Sequence, residues 1–229
     1  MKQIKYSCLL WLAMTVLGCQ FSSDTETKPE TATDIPATGN GEAEDYHFTN
    51  RVVWQKPESV IGRMGDLKDK TVADIGAGTG FFALRMTPLA RQVIAIDIEP
   101  RLVTYLDSLR RHTLPDTLQN RLRVQLADPA DPGLRAQEAD RILIVNTYMY
   151  LNDRDRYLRR LYTGLRPAGR IVVVDFKKKK TSLGPPRAIR VPQFQVEEEL
   201  ERAGFRILES NDTELDYQYI IVAEKKEGQ

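Results

Sequence analysis

The sequence predicts an α/β fold: one seven-stranded, mostly parallel sheet with helices on both faces and the last strand antiparallel. Three observations carry that expectation. Short apolar runs such as TVADI, VIAI, ADRILIV and IVVV alternate with amphipathic helical stretches, as strands and crossover helices do. The first run ends in a turn containing Gly76, Gly78 and Gly80, where residues without Cβ let the backbone turn tightly into a helix. The chain closes on two strand-like runs, 205–209 and 217–223, separated by a turn at Asn211-Asp212, too short for a parallel crossover.

The N-terminus differs in kind from the rest. Lys2 and Lys5 precede an apolar run over 9–17, too short to span a bilayer comfortably but suited to the core of a secretory signal. Val16-Leu17-Gly18-Cys19 resembles a bacterial lipobox, with Val16 where Leu is usual, which implies a signal over 1–18 and lipid on Cys19. Gln20, rather than Asp, after that cysteine resembles the pattern of lipoproteins sorted to the outer membrane. Residues 19–45 are rich in Ser, Thr, Glu, Pro and Gly and cannot bury enough apolar surface to offset ordering, so they read as a flexible tether. Residues 46–229 form the one expected domain.

Composition excludes several chemistries. Both cysteines, Cys8 and Cys19, lie in the leader, which removes disulfides, cysteine-ligated zinc and thiol nucleophiles from the domain. The two histidines, His47 and His112, lack ligand spacing, so no metal is expected. A net charge of +1 with no basic stripe gives no sign of a nucleic-acid partner.

Pro57 suits the first turn of a helix before the first strand. After the glycine turn a helix is expected over 81–90, shortened by Pro88, then a strand over 93–96 and a helix opened by Pro100. Residues 121–127 alternate as a strand, 139–145 read as a buried strand, and Asn152 is the expected N-cap of a helix carrying Tyr157, Leu158, Leu161 and Leu165 on one stripe. A strand over 171–174 and a helix over 196–203, stopped by Gly204, precede the terminal strand pair.

The candidate site gathers at the carboxyl ends of these strands. The glycine turn is expected to present free N–H groups and a helix N-terminus to an anionic or nucleotide-like group. Its third glycine comes one residue earlier than in a dinucleotide fingerprint. Asp97, about 20 residues beyond the first glycine at the end of the second strand, is placed to accept both hydroxyls of a ribose.

DIGAGTG followed by IDIEP resembles the first two motifs of the class I S-adenosylmethionine-dependent methyltransferases, with a Rossmann-like fold. A broader likeness is to bacterial methyltransferase-domain proteins of unassigned substrate, through WQKPESV and through Asn146 to Tyr148, where Asn replaces the Asp of their D-x-Y. The resemblance implies that Asp74, Gly76, Ala77, Gly78 and Gly80 hold the methionine end of S-adenosylmethionine, Asp97 its ribose, Ile98 the adenine face, and Ala127 and Asp128 the adenine edge. Asn146 and Tyr148 would orient a methyl acceptor, Asn146 also bordering the cofactor. Phe48, Arg51 and Trp54, ahead of the first strand, and Arg187 and Arg190, after the fifth, fall on the substrate side. The implied activity is methyl transfer to a small molecule or an envelope component by a lipid-anchored protein. The alternatives are a non-catalytic nucleoside- or partner-binding module that keeps the fold, and an NAD-dependent oxidoreductase, which the glycine spacing and the terminal strand pair disfavour. The four lysines 177–180 read as a solvated loop or as a contact for anionic lipid.

Overall fold

The computed structural model describes residues 50–226. The leader, Cys19, the tether, His47 and Phe48 lie outside the described residues.

Two short helices, α1 (Arg51–Gln55) and α2 (Pro57–Gly62), precede β1 (Thr71–Ile75). There follow α3 (Ala83–Met86), β2 (Gln92–Asp97), α4 (Pro100–Thr113), α5 (Asp116–Gln119), β3 (Leu122–Leu126) and β4 (Ala139–Val145). A 3-10 turn (Tyr148–Tyr150), α6 (Arg154–Gly164), β5 (Leu165–Phe176), α7 (Gln193–Arg202), β6 (Phe205–Asn211) and β7 (Gln218–Lys225) complete the described chain. The seven strands form one sheet in the order β3-β2-β1-β4-β5-β7-β6. β1 to β5 run parallel, and β7 lies antiparallel between β5 and β6.

The alternation expected of a doubly covered sheet is visible along β5. Ile171 and Val173 join one core layer with Leu158 and Leu161 of α6 and Val196 and Leu200 of α7. Val172 and Val174 point the other way, into a layer with Val60 of α2, Met86 of α3 and Leu106 of α4. Each fully buried aliphatic side chain contributes about 1.5–3 kcal/mol relative to exposure.

Local boundaries depart from the sequence expectation for physical reasons. The helix after the glycine turn is only the four residues of α3, because the chain is still turning through Phe82 and Pro88 lacks the N–H that would extend the helix. Asp153, not Asn152, caps α6, accepting the Arg156 N–H. β5 begins six residues early, since Leu165 already pairs with Ala139 and a register shift absorbs the residues before Arg170.

The position of the site follows from strand order. From β1 the chain moves outward through β2 and β3, then returns to place β4 on the other flank of β1. The switch point therefore lies between β1 and β4, and a crevice opens beyond their carboxyl ends.

Candidate functional site

Asp74 sits near the end of β1 and is 3% exposed. Its Oδ2 has no hydrogen-bond partner. Burial pushes its pKa up to about 7; the Arg51 guanidinium pulls down, the Asp97 carboxylate pushes further up, and the Ala83 N–H pulls down. A buried acid with an unused oxygen suits a cationic group.

The glycine turn divides its labour. A Cβ on Gly76 (φ +73°) would lie 2.2 Å from Thr147 Oγ1, so Gly76 lets β1 and the end of β4 meet at the switch point. A Cβ on Gly80 (φ +86°) would lie 2.3 Å from Leu106 of α4. Only Gly78 (φ +56°) would meet nothing within 4 Å. Two of the three glycines thus serve internal packing, and Gly78 faces open space.

The expectation of free N–H groups is corrected. Gly76 and Ala77 donate to Ile96 O at 2.8 and 3.0 Å, and Gly80 donates to Ala77 O at 2.9 Å. Gly78 donates to Asp97 Oδ2 at 2.7 Å. The four residues of α3 offer no developed helix terminus. The N–H groups of Gly76, Ala77 and Gly78 are thus taken up by β2 rather than left open for an anion.

Asp97 is 9% exposed, and its Oδ1 accepts the Glu99 N–H at 3.0 Å. Each carboxylate oxygen keeps a further lone pair for hydroxyl donors. Ile98 beside it is 56% exposed, an apolar face at the crevice rim. Ala127 donates its N–H to Asp97 O at 2.9 Å, tying the end of β3 to that of β2. Asp128 is exposed, with Oδ1 accepting the Ala130 N–H at 2.8 Å, so the DPADPG turn is built on the same carboxylate.

On the β4 side, Asn146 is 6% exposed and left-handed (φ +57°), a conformation asparagine tolerates. Its Oδ1 accepts from Gln218 Nε2, while its Nδ2 has no partner. Gln218 Oε1 in turn accepts from Gln55 Nε2 at 3.0 Å, and Gln55 Oε1 accepts from Arg51 Nε. Arg51 also covers the Phe81 ring at 4.1 Å, with Arg85 at 4.0 Å from the same ring. Trp54 is buried against Phe176 and Tyr217, and its Nε1 has no partner.

Two sequence expectations fail. Tyr148 is fully buried and its hydroxyl donates to Glu199 Oε2, so it packs under the sheet end instead of orienting an acceptor. Glu199 lies below the usual carboxylate range: burial would raise it, but Arg154, Tyr148 and Gln195 outweigh that. Arg190 is also buried, donating to the carbonyls of Pro185, Lys177, Lys179 and Leu183 and to Thr181 Oγ1, which makes it the core of the loop after β5 rather than an anion ligand. Arg187 is exposed on that loop. Lys177 is not a solvated lysine, since its Nζ donates to Leu215 O at 2.7 Å; Lys178, Lys179 and Lys180 are exposed.

Gln55 and Gln218 were not expected at the site. A glutamine opening the run QYIIVA, apolar on both sides of the strand, is the signal that could have flagged Gln218. Among the described residues, no cluster of His, Cys, Asp or Glu could hold a metal, and no helix is long and apolar enough to cross a membrane.

Residues 73–173, from β1 to β5, match the family described as a methyltransferase domain. The ubiquinone/menaquinone biosynthesis C-methyltransferase of Geotalea daltonii is 24% identical over 141 residues, 57% of this chain and 58% of that protein. The fold is that of a SAM-dependent methyltransferase from Aquifex aeolicus (TM-score 0.72, 23% identity, 81% of this chain and 98% of that one). It is shared with the cyclase SpnF (TM-score 0.66, 18% identity, 76% and 82%). A putative type 11 methyltransferase from Sulfolobus solfataricus also matches (TM-score 0.62, 20% identity, 76% and 94%).

Proposed function

We propose that this protein transfers a methyl group from S-adenosylmethionine to an acceptor of the bacterial cell envelope, held at the membrane by lipid on Cys19. The methyltransferase-domain match and the neighbouring structures indicate S-adenosylmethionine as the cofactor and methyl transfer as the general activity. The acceptor and the anchor go further. The anchor rests on the leader and lipobox of the sequence.

One observation carries the donor site: the unpartnered, buried Oδ2 of Asp74 beside the open face of Gly78 and the carboxylate of Asp97. The residues fit that donor. Asp74 would take the ammonium of its methionine end, Asp97 the ribose hydroxyls, and Ile98, Ala127 and Asp128 would border the adenine. Asn146 would close the crevice from the β4 side, and Arg51 and Trp54 would bound the acceptor.

S-adenosylmethionine supplies an electrophilic methyl carbon whose bond to sulfur breaks with the electron pair left on sulfur, so an acceptor needs only a lone pair in line with it. The protein's part is to align and to exclude water. Neither task needs a covalent nucleophile, consistent with a domain without cysteine.

Calorimetry with S-adenosylmethionine, S-adenosylhomocysteine and NAD tests the reading. Binding of the first two but not NAD is expected, with methyl-labelled donor then marking a component of envelope extracts. Binding of NAD alone would overturn the assignment. Binding without any labelled acceptor would leave a nucleoside-binding module in its place.

A further inference from the structure

Amide side chains present oxygen or nitrogen according to their hydrogen-bond network, and that choice is ambiguous unless something at the end of the chain fixes it. Here something does. A guanidinium only donates, so the Arg51 Nε contact forces Gln55 to receive it through Oε1. Gln55 must then offer Nε2, which donates to Gln218 Oε1. Gln218 offers Nε2 to Asn146 Oδ1. Asn146 is left with its NH2 turned away from the relay, and Nδ2 is the atom without a partner. Gln55, Asn146 and Gln218 are buried, at 0%, 6% and 0% exposure, so water is a poor substitute for any link.

From this polarity we propose that the methyl acceptor presents an oxyanion, an ionised acidic hydroxyl of phenol or enol type, to Asn146 Nδ2, and that Gln218 is a positioning residue that keeps this donor turned away from the relay. The proposal rests on the donor site described above and names the class of acceptor for it.

The physical reason is the mismatch the alternative would create. An aspartate at 146 would present lone pairs and could take a proton from a neutral nucleophile. The relay instead fixes a hydrogen-bond donor there, which cannot take a proton but lowers the energy of negative charge on an oxygen. An amine acceptor spends its single lone pair on the methyl carbon and has only N–H groups left to face that donor, which stays unsatisfied. An oxyanion completes Asn146 and already carries the lone pair. Its own oxygen, or the conjugated carbon of an enolate, forms the new bond to the methyl carbon, and no base has to be supplied.

The test uses full-length protein saturated with S-adenosylhomocysteine, above neutral pH, and two ring probes of nearly equal shape, 4-nitrophenolate and 4-nitroaniline. Calorimetry on the wild type is expected to show the phenolate bound at least tenfold more tightly. Gln218→Glu places a carboxylate where the relay needs a donor, so Asn146 turns its NH2 toward the relay and its oxygen away from it. The preference should then invert toward the aniline. Gln218→Met, which removes the relay's direction without adding charge, guards against misfolding of the first variant and should bring the two probes within about threefold. S-adenosylhomocysteine should still bind all three proteins, which shows that each is folded. Equal probe binding in the wild type, binding of neither probe, or a phenolate preference surviving both substitutions overturns the proposal. Failure of S-adenosylhomocysteine to bind the wild type overturns the donor site instead.

Discussion

Gly78 donates its N–H to Oδ2 of Asp97 at 2.7 Å, tying the turn after β1 to the end of β2. The carboxylate expected to hold a ribose therefore also builds the wall of its own crevice.

Asp97→Ala should lose both roles. A hydrogen bond to a charged group contributes about 1.5–3 kcal/mol, so S-adenosylmethionine affinity is expected to fall about tenfold to a hundredfold. Amide exchange at Gly78 should accelerate in the ligand-free variant. Unchanged affinity by calorimetry would remove Asp97 from the sugar site.

Asp74 gives the protein a pH signature. Its pKa rises from an ordinary 3.8 to about 7, so the folded state holds this proton more tightly than the unfolded chain. That contribution to stability is complete below the lower value and is lost as pH rises through about 7. Asp175, likewise buried and pushed up to about 7, acts in the same direction. Thermal melts of the ligand-free protein should show Asp74→Asn more stable than wild type above neutral pH. The same variant should bind S-adenosylmethionine more weakly, and wild-type affinity should rise with pH through about 7 as the carboxylate ionises. Flat affinity across that range would mean that Asp74 meets no cationic group.

The glycines separate packing from binding. Gly76→Ala drives a Cβ into Thr147 and should cost about 1–3 kcal/mol of stability by denaturant unfolding. Gly78→Ala meets no neighbour and should cost only the about 1–2 kcal/mol of a left-handed non-glycine residue, while weakening S-adenosylmethionine binding. Equal affinity in Gly78→Ala and wild type would show that the ligand does not approach this backbone.

Tyr148→Phe should leave S-adenosylmethionine affinity unchanged and cost about 1 kcal/mol of stability, because Glu199 keeps Arg154 at 2.7 Å and Gln195 at 2.8 Å. Arg190→Ala should expose the loop after β5 to proteolysis, since five hydrogen bonds to that loop end on one guanidinium. A large loss of ligand affinity in Tyr148→Phe would return that residue to the site.

Palmitate labelling of cells producing wild type and Cys19→Ala checks the anchor. Label on the wild type alone is expected, with the variant released from the membrane fraction. Equal labelling would end the lipoprotein reading.

The parallel sheet and its terminal antiparallel pair were legible because each strand is a short apolar run, and a strand pair joined by a turn cannot be a crossover. The glycine turn, Asp74 and Asp97 were legible because their spacing along the chain is fixed by a local strand-turn-helix unit. Tyr148 and Arg190 misled for one reason: an aromatic or an arginine near a crevice is equally at home under it. Which way each side chain points depends on partners such as Glu199 and the carbonyls after β5, which are distant in sequence or structured only once the loop has formed.

The sequence by itself determined the alternation of strands and helices, the glycine turn with its two carboxylates, and the confinement of cysteine to positions 8 and 19, since these follow from residue type and local periodicity. Only the tertiary structure decided which glycine faces open space, that the N–H groups of Gly76, Ala77 and Gly78 bond to β2, and that Nδ2 of Asn146 is left without a partner. That last property passes through Arg51, Gln55 and Gln218, more than 160 residues of chain brought together by folding, where the direction of each hydrogen bond is inherited from the one before it.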